Sequence, residues 1–464
     1  MTVEQRVNKV AVIGAGASGL AAIKSLIAEK AFDTVKCYER GSKTAGIWNY
    51  SATPEHSAVP STDPRQELKS WRSPVYEDLE ANLVTDLMGY YQFPFPKSSP
   101  LFVDRTDIER YLHEFGESVK DYIQFDTQVT RIEKINGQWR VSTKPANGEQ
   151  TVESSEEDFD AVVVATGNYN LPFLPEYPGI KQWSQKYPGS VIHSKGYRRG
   201  SDYKGQRVFL VGGSTSAYDL ATQLVGNAQS VYQSIRSGGP KEVLACEGVN
   251  YVVGIDRFEP DTRTVVLVDG SEVKDIDTII FATGYLRNYP FLDDTVNKTD
   301  KPVVTHGRRM ENLYQHLFYA PDPTLVFMVT PRQVMPFPTA EAQSVWLCRV
   351  WANRVQLPSY ADRQKWEQDR LELKGDGPAF GSLGYPENTD YHVFILDQIA
   401  AGGGVEGIPV QPDSEDLRRK RRNGLALRVA NDQYLEKYGK RPYSIDELID
   451  AGLFEWKDEP GRGF

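Results

Sequence analysis

Hydrophobic and polar positions fall into two alternating patterns along this chain. Residues 9–14, KVAVIG, form a short β-branched apolar run that stops at Gly14-Ala15-Gly16-Ala17-Ser18-Gly19. Beyond it Leu20, Ala21, Ile23, Leu26 and Ile27 recur at helical spacing, which predicts strand, tight turn and helix. A second strand, Val35 to Tyr38, closes a βαβ unit and ends in Glu39. Residues 48–100 are rich in Pro, Ser and aromatics without a period, which predicts an elaborated connection. Thr106 opens a predicted helix, and Val129–Glu133, Trp139–Thr143 and Thr151–Glu153 read as a meander with turns at Asn136-Gly137 and Asn147-Gly148. Phe159 to Ala165 is a strongly apolar predicted strand running into Thr166-Gly167.

The opening theme then returns. Residues 207–212, RVFLVG, lead into Gly212-Gly213-Ser214-Thr215-Ser216-Ala217 and a predicted helix, followed by a strand Ser230–Ile235. A further strand, Thr278–Phe281, ends in Ala282-Thr283-Gly284-Tyr285. The last third predicts a strand (Leu325–Val329), a Pro-broken loop, a long helix from about Thr339 to Val355, a second over 360–374, and a mostly helical, polar C-terminal stretch. Two strand–glycine turn–helix units in one chain argue for two cofactors, or for two halves of one, rather than for a repeat array.

Composition narrows the class. With 464 residues, 40% hydrophobic and 25% charged, the chain has the length and make-up for two or three globular domains. The net charge of −10 gives no basic surface for nucleic acid, so phosphate recognition has to be local. Cys37, Cys246 and Cys348 form no C-x-x-C pair, which excludes a proximal redox dithiol or half a zinc site and fits a reducing compartment. The polar start, MTVEQRVNKV, and the lack of a long apolar run predict a soluble cytosolic protein without an integral membrane segment. The basic run Arg418–Arg422, preceded by Glu415 and Asp416, reads as a solvated helix face.

The two turns differ in a way that selects ligands. Gly14, Gly16 and Gly19 permit a tight turn and close approach of a pyrophosphate at a helix N-terminus, and Glu39, about 20 residues on, is placed to accept from ribose hydroxyls. A carboxylate there repels a 2′-phosphate, so the first site predicts FAD or NAD(H). The second turn has Ser214 for the middle glycine and Ala217 for the last, and no acid ends its second strand. Ser234 and Arg236 stand there instead, a hydroxyl and a guanidinium suited to a 2′-phosphate, which points to NADPH. An ordinary turn arginine is the alternative for Arg236.

At this point a resemblance becomes specific. Residues 187–198, from Tyr187 through Gly189, His193 and Tyr197 to Arg198, resemble the F-x-G-x-x-x-H-x-x-x-Y-[KR] fingerprint of flavin-containing monooxygenases, with Tyr187 for Phe. Glu39-Arg40 with Gly46-Ile47-Trp48 resembles the family's E-R…G-G-x-W segment, Ala45 replacing one glycine. Ala165-Thr166-Gly167 and Phe281–Tyr285 match its two A-T-G linkers, and Tyr76-x-x-Leu79-x-x-Asn82 matches the segment that carries a flavin-side asparagine. Phe337-Pro338-x-x-Glu341-Ala342-Gln343 resembles its C-terminal flavin-domain helix.

The resemblance covers nearly the whole chain and is nearest to the short, soluble yeast and fungal members. It implies an α/β fold of two Rossmann-like dinucleotide-binding domains, the NADPH domain (171–287) inserted in an FAD domain built from residues 1–170 and completed by 288–464 with its helical region. It implies that NADPH reduces FAD, that O₂ gives a flavin C4a-hydroperoxide, and that a soft nitrogen or sulfur of an amine, indole or thiol is oxygenated. It also implies Asn82 as the polar group over the flavin, with His193 and Tyr197 organising backbone and NADP contacts. A homodimer is expected by analogy. Baeyer–Villiger monooxygenases carry Trp at the place of Tyr197, which favours heteroatom oxygenation; a ketone-inserting enzyme and a non-oxygenating NADPH-binding flavoprotein are the alternatives.

Overall fold

The computed structural model describes residues 6–54, 62–65, 71–146, 154–236, 245–403 and 407–457, which divide into two units. The first combines residues 1–48, 80–168 and 287–464; the second combines 49–79 with 169–286.

In the first unit the strand Lys9–Ile13 has parallel partners on both edges, Thr34–Tyr38 and Ala161–Val164. All but its first residue are buried, as expected of a sheet covered on both faces. The full sheet runs Leu313–Tyr314, Phe318–Tyr319, Leu325–Phe327, Ala161–Val164, Lys9–Ile13, Thr34–Tyr38, Ile123–Gln124; the last five are parallel and the first two extend it antiparallel. Helix Ala17–Glu29 packs on helix Pro336–Trp351, in which every residue after the first is buried. Helix Arg105–Glu117 begins where Asp104 accepts from the Thr106 and Asp107 N–H groups at 2.8 and 2.9 Å.

Two expectations are modified here and a third is met in part. The apolar run beginning at Phe159 divides between two strands. Ser155–Phe159 pairs antiparallel with Gln138–Pro145, while Ala161–Val164 enters the main sheet. Asp160 makes the break, its carboxylate accepting from the N–H groups of Asn8 and Lys9 at 2.9 Å each. The hairpin Thr127–Ile135/Gln138–Pro145 turns at Asn136-Gly137 with φ of 50° and 85°; the turn at Asn147-Gly148 and the strand Thr151–Glu153 lie outside the described residues. The basic run forms helix Glu415–Arg422 but is not a free solvated face. Arg421 is buried and donates to the Gln333 carbonyl at 2.7 Å, while Arg418 pairs with Asp413 and Lys420 with Asp86 and Asp416.

The second unit holds a wholly parallel sheet in the order Val249–Val252, Ser230–Ser234, Arg207–Val211, Thr278–Phe281, Val191–His193, with helix Thr215–Leu224 following its central strand. Among the described residues no helix is long and apolar enough to cross a membrane.

Candidate active site

Both glycine turns sit at the carboxyl end of a central parallel strand, where open α/β sheets bind ligands. In the first unit Gly14 has φ +99°, and a Cβ on it would lie 2.9 Å from the Ala165 carbonyl oxygen and 3.4 Å from the Thr166 Cα. A Cβ on Gly19 would fall 1.8 Å from the Gly14 carbonyl oxygen, so no other residue closes this turn. Gly16 stands at the helix N-terminus without a side-chain cap, and Gly46, at φ +53°, brings the Gly46-Ile47-Trp48 turn against it. The Glu39 carboxylate accepts from the Ala15 N–H at 2.7 Å and the Gly41 N–H at 2.6 Å. Each oxygen has lone-pair capacity left for a hydroxyl. Open backbone, an uncapped helix start and a fixed carboxylate fit the ADP half of a dinucleotide. Half-buried Ala17, Ser18 and Arg40 flank this cradle, and Gly167 is exposed at φ +75°.

Gln343 bonds to protein groups on both ends of its amide. It is fully buried; its Oε1 accepts from the Val329 N–H and its Nε2 donates to the Tyr391 hydroxyl, both at 2.8 Å. The Val329 carbonyl in turn accepts from Asn168 Nδ2 at 2.8 Å, so Gln343 is tied to the Thr166-Gly167 linker through one residue. Asn82 stands exposed on a bend, next to Ala81, whose N–H donates to Val103 and whose carbonyl accepts from Arg428, both at 2.8 Å.

Two groups that the sequence offers only as a candidate access-route aromatic, Tyr90, and as a motif position, Glu341, find their partners beside the first turn. The Tyr90 hydroxyl donates to the Ala17 carbonyl at 2.6 Å, with its ring stacked on Phe115 and Phe337 at 4.1 and 5.3 Å. Glu341 is buried in helix Pro336–Trp351 and accepts from the Tyr91 N–H at 3.0 Å. Burial pushes its carboxyl up to about 7 against the pull of that N–H and of Lys24. The aromatic density of residues 90–95 and the helix motif were the signals available for this cluster.

In the second unit Gly212, at φ +136°, passes so close to Ala282 that a Cβ would sit 2.6 Å from its carbonyl oxygen. Ser214 leads into helix Thr215–Leu224 without a side-chain cap, Ser216 is exposed, and Ala217 is fully buried where helix meets sheet. Ser234 is buried and donates to the Val253 carbonyl at 2.8 Å; Arg236 lies exposed two residues beyond. The Thr283 hydroxyl donates to the Phe173 carbonyl at 2.5 Å. His193 Nδ1 accepts from the Lys195 N–H at 3.0 Å, so Nε2 carries the proton and donates to the Gly284 carbonyl at 2.9 Å. Burial, which outweighs the Gly284 bond, lowers this imidazole to about 3 and keeps it neutral. Tyr285 packs edge-on against it at 5.0 Å. Tyr197 is buried, its hydroxyl donating to Gln223 Oε1 at 3.0 Å; Gln223 reaches Asp219, which also takes the Tyr76 hydroxyl.

A family model described as flavin-binding monooxygenase-like matches residues 7–248 and 240–402 of this chain. The chain belongs to that family. The family is one of flavoprotein oxidoreductases, and several individual members are close enough for comparison. The flavin-containing monooxygenase iboF of Amanita muscaria is 30% identical, the alignment covering 86% of this chain and 90% of that protein. A thiol-specific monooxygenase of Saccharomyces cerevisiae is 31% identical over 78% of this chain and 81% of its own. Among solved structures of flavin monooxygenases, the S-allyl-L-cysteine S-oxygenase of Allium sativum superposes with a TM-score of 0.75 at 26% identity, covering 96% of this chain and 97% of that one.

Proposed function

We propose that this flavin monooxygenase uses FAD, NADPH and O₂ to oxygenate a soft sulfur or nitrogen atom of a small molecule. The observation that carries the reading is the contrast between the two turns. The first ends its second strand in a carboxylate fixed by two backbone N–H groups, the second in a buried serine followed by an exposed arginine. A carboxylate favours ribose hydroxyls and rejects a 2′-phosphate, whereas a guanidinium forks onto one. FAD therefore belongs on Gly14–Gly19, Glu39, Arg40, Gly46–Trp48, Thr166 and Gly167, and NADPH on Gly212–Ala217, Ser234, Arg236 and Thr283–Tyr285.

A flavin held on the first turn would supply the activation of dioxygen, and a nicotinamide on the second its reducing equivalents. The chain's own residues bind, orient and exclude water. Asn82 would offer its amide to the flavin as a hydrogen-bonding group rather than a base. His193 and Tyr197, held by Gly284 and Gln223, keep the linker backbone in place for the second nucleotide. The names of the yeast and garlic relatives make thiols and thioethers the first substrates to try.

The test is to identify the flavin released from purified protein, then follow NADPH and NADH consumption with a small thiol, a thioether and a tertiary amine under isotopically labelled dioxygen. Labelled S- or N-oxide formed with NADPH is the expected result. NADPH consumption that yields hydrogen peroxide and no labelled product overturns the proposal.

A further inference from the structure

Two polar side chains close the second strand of the second unit's sheet, and one of them is already spent. The Ser234 hydroxyl has a single proton and donates it to the Val253 carbonyl at 2.8 Å, which leaves none for an anion. Arg236 is exposed and has no hydrogen bond or ion pair among the described residues. A phosphate held there by Arg236 alone would have a cation but no hydroxyl from this strand.

Tyr177, from a different segment of the same unit, stands beside that cation. Its half-buried ring lies against Phe281 at 6.4 Å, nearly parallel, and edge-on to Phe258 at 5.9 Å. Phe281, Val211 and Ser234 are level with one another at the carboxyl ends of three adjacent parallel strands. The Tyr177 ring is therefore at the end of the sheet where an open α/β fold receives its ligand. The segment is pinned in place: the Phe258 N–H donates to the Pro178 carbonyl at 2.8 Å, and a Cβ on Gly179, at φ +84°, would fall 1.9 Å from the Phe258 carbonyl oxygen. Among the described residues the Tyr177 hydroxyl has no hydrogen-bond partner. Burial pushes this phenol above the ordinary tyrosine range, with Arg236 the charge that pulls against it, so at neutral pH it is a proton donor. Glu176, next to it in the chain, is taken by Lys181 at 2.8 Å. An O–H and a guanidinium thus stand side by side, two donors with no acceptor of their own.

We propose that Tyr177 is a specificity-determining residue of the second nucleotide site, its hydroxyl donating to the 2′-phosphate that Arg236 holds, an inference that rests on the NADPH reading above. A hydrogen bond to a phosphate dianion is stronger than one to a neutral ribose hydroxyl, so the same O–H favours NADPH over NADH.

The experiment is calorimetric titration of the purified full chain with adenosine 2′,5′-bisphosphate and with adenosine 5′-monophosphate, which differ only in the phosphate at issue. The parent is expected to bind the bisphosphate more tightly. Tyr177→Phe, which keeps the ring and its packing, is expected to weaken the bisphosphate roughly tenfold, the order of one hydrogen bond to a charged group, and to leave the monophosphate as it was. Unchanged binding of the bisphosphate overturns the assignment, and so does an equal loss for both ligands, which marks a packing role. If Arg236→Gln erases the parent's preference and Tyr177→Phe does not, the Tyr177 assignment falls and the NADPH reading stands. A parent with no preference between the two ligands overturns both.

Discussion

Val329 holds a β-branched side chain at φ +49°, a conformation that such residues rarely occupy. It persists because both of its backbone groups are claimed, the N–H by Gln343 and the carbonyl by Asn168. Gln343→Leu keeps the volume and removes both amide bonds, leaving the Val329 N–H unmatched. The expected outcome is a loss of about 1–3 kcal/mol in urea unfolding together with a lower flavin-to-protein ratio; a variant equal to the parent in both contradicts this coupling. Gly19→Ala forces a Cβ into the Gly14 carbonyl and should abolish flavin retention. Gly167→Ala meets nothing within 4 Å and carries only the strain of φ +75°, about 1 kcal/mol. Gly14, Gly19 and Glu39 were legible in the sequence because their constraints are local. The strained Val329 and the contact made by Glu341 were not, since the Glu341 partner lies 250 residues away.

Helix Pro336–Trp351 explains why its own periodicity was weak: a helix buried all round has no polar face to mark a stripe. Its start was expected at Thr339 and lies at Pro336, where proline suits a first turn. From one side it sends Glu341 to the Tyr91 backbone, and elsewhere Gln343 to Val329 and Arg349 to Glu29. The Glu341 carboxyl sets a pH dependence. Unfolded, it releases its proton near its ordinary value of 4.5; folded, burial delays release to about 7. Its contribution to stability is thus complete below 4.5 and is lost as pH rises through 7. Glu341→Gln, which retains an acceptor for Tyr91, is expected to flatten the fall in urea midpoint between about pH 5 and about pH 8 relative to the parent. Equal slopes would refute this. His193 and His316 act in the opposite sense, losing stability as pH falls below 6.5, but they are common to both proteins and cancel in the comparison.

At the scale of the whole molecule the two glycine turns occupy different units, so their failures separate. Arg236→Gln is expected to raise the KM for NADPH roughly tenfold to a hundredfold while leaving kcat, the KM for NADH and flavin content near the parent. A proportional loss with both nicotinamides would remove Arg236 from 2′-phosphate recognition. The internal echo of strand, turn and helix was readable because each copy is contiguous. The way residues 49–79 join the second unit was not. That segment has no period, and the ties that hold it there are scattered single contacts, among them the Tyr76 hydroxyl to Asp219, the Glu77 N–H to Arg198 and the Ser73 carbonyl to the Arg198 guanidinium.

Glu29, on the helix that follows the first glycine turn, is 1% exposed and meets Arg349, 320 positions later, at 3.3 Å. During synthesis the apolar flank of that early helix therefore emerges long before the segment that covers it. The nucleotide cradle is translated well before the helix that covers its flank, so chains terminated short of about residue 350 should depend on chaperones and be cleared by proteases.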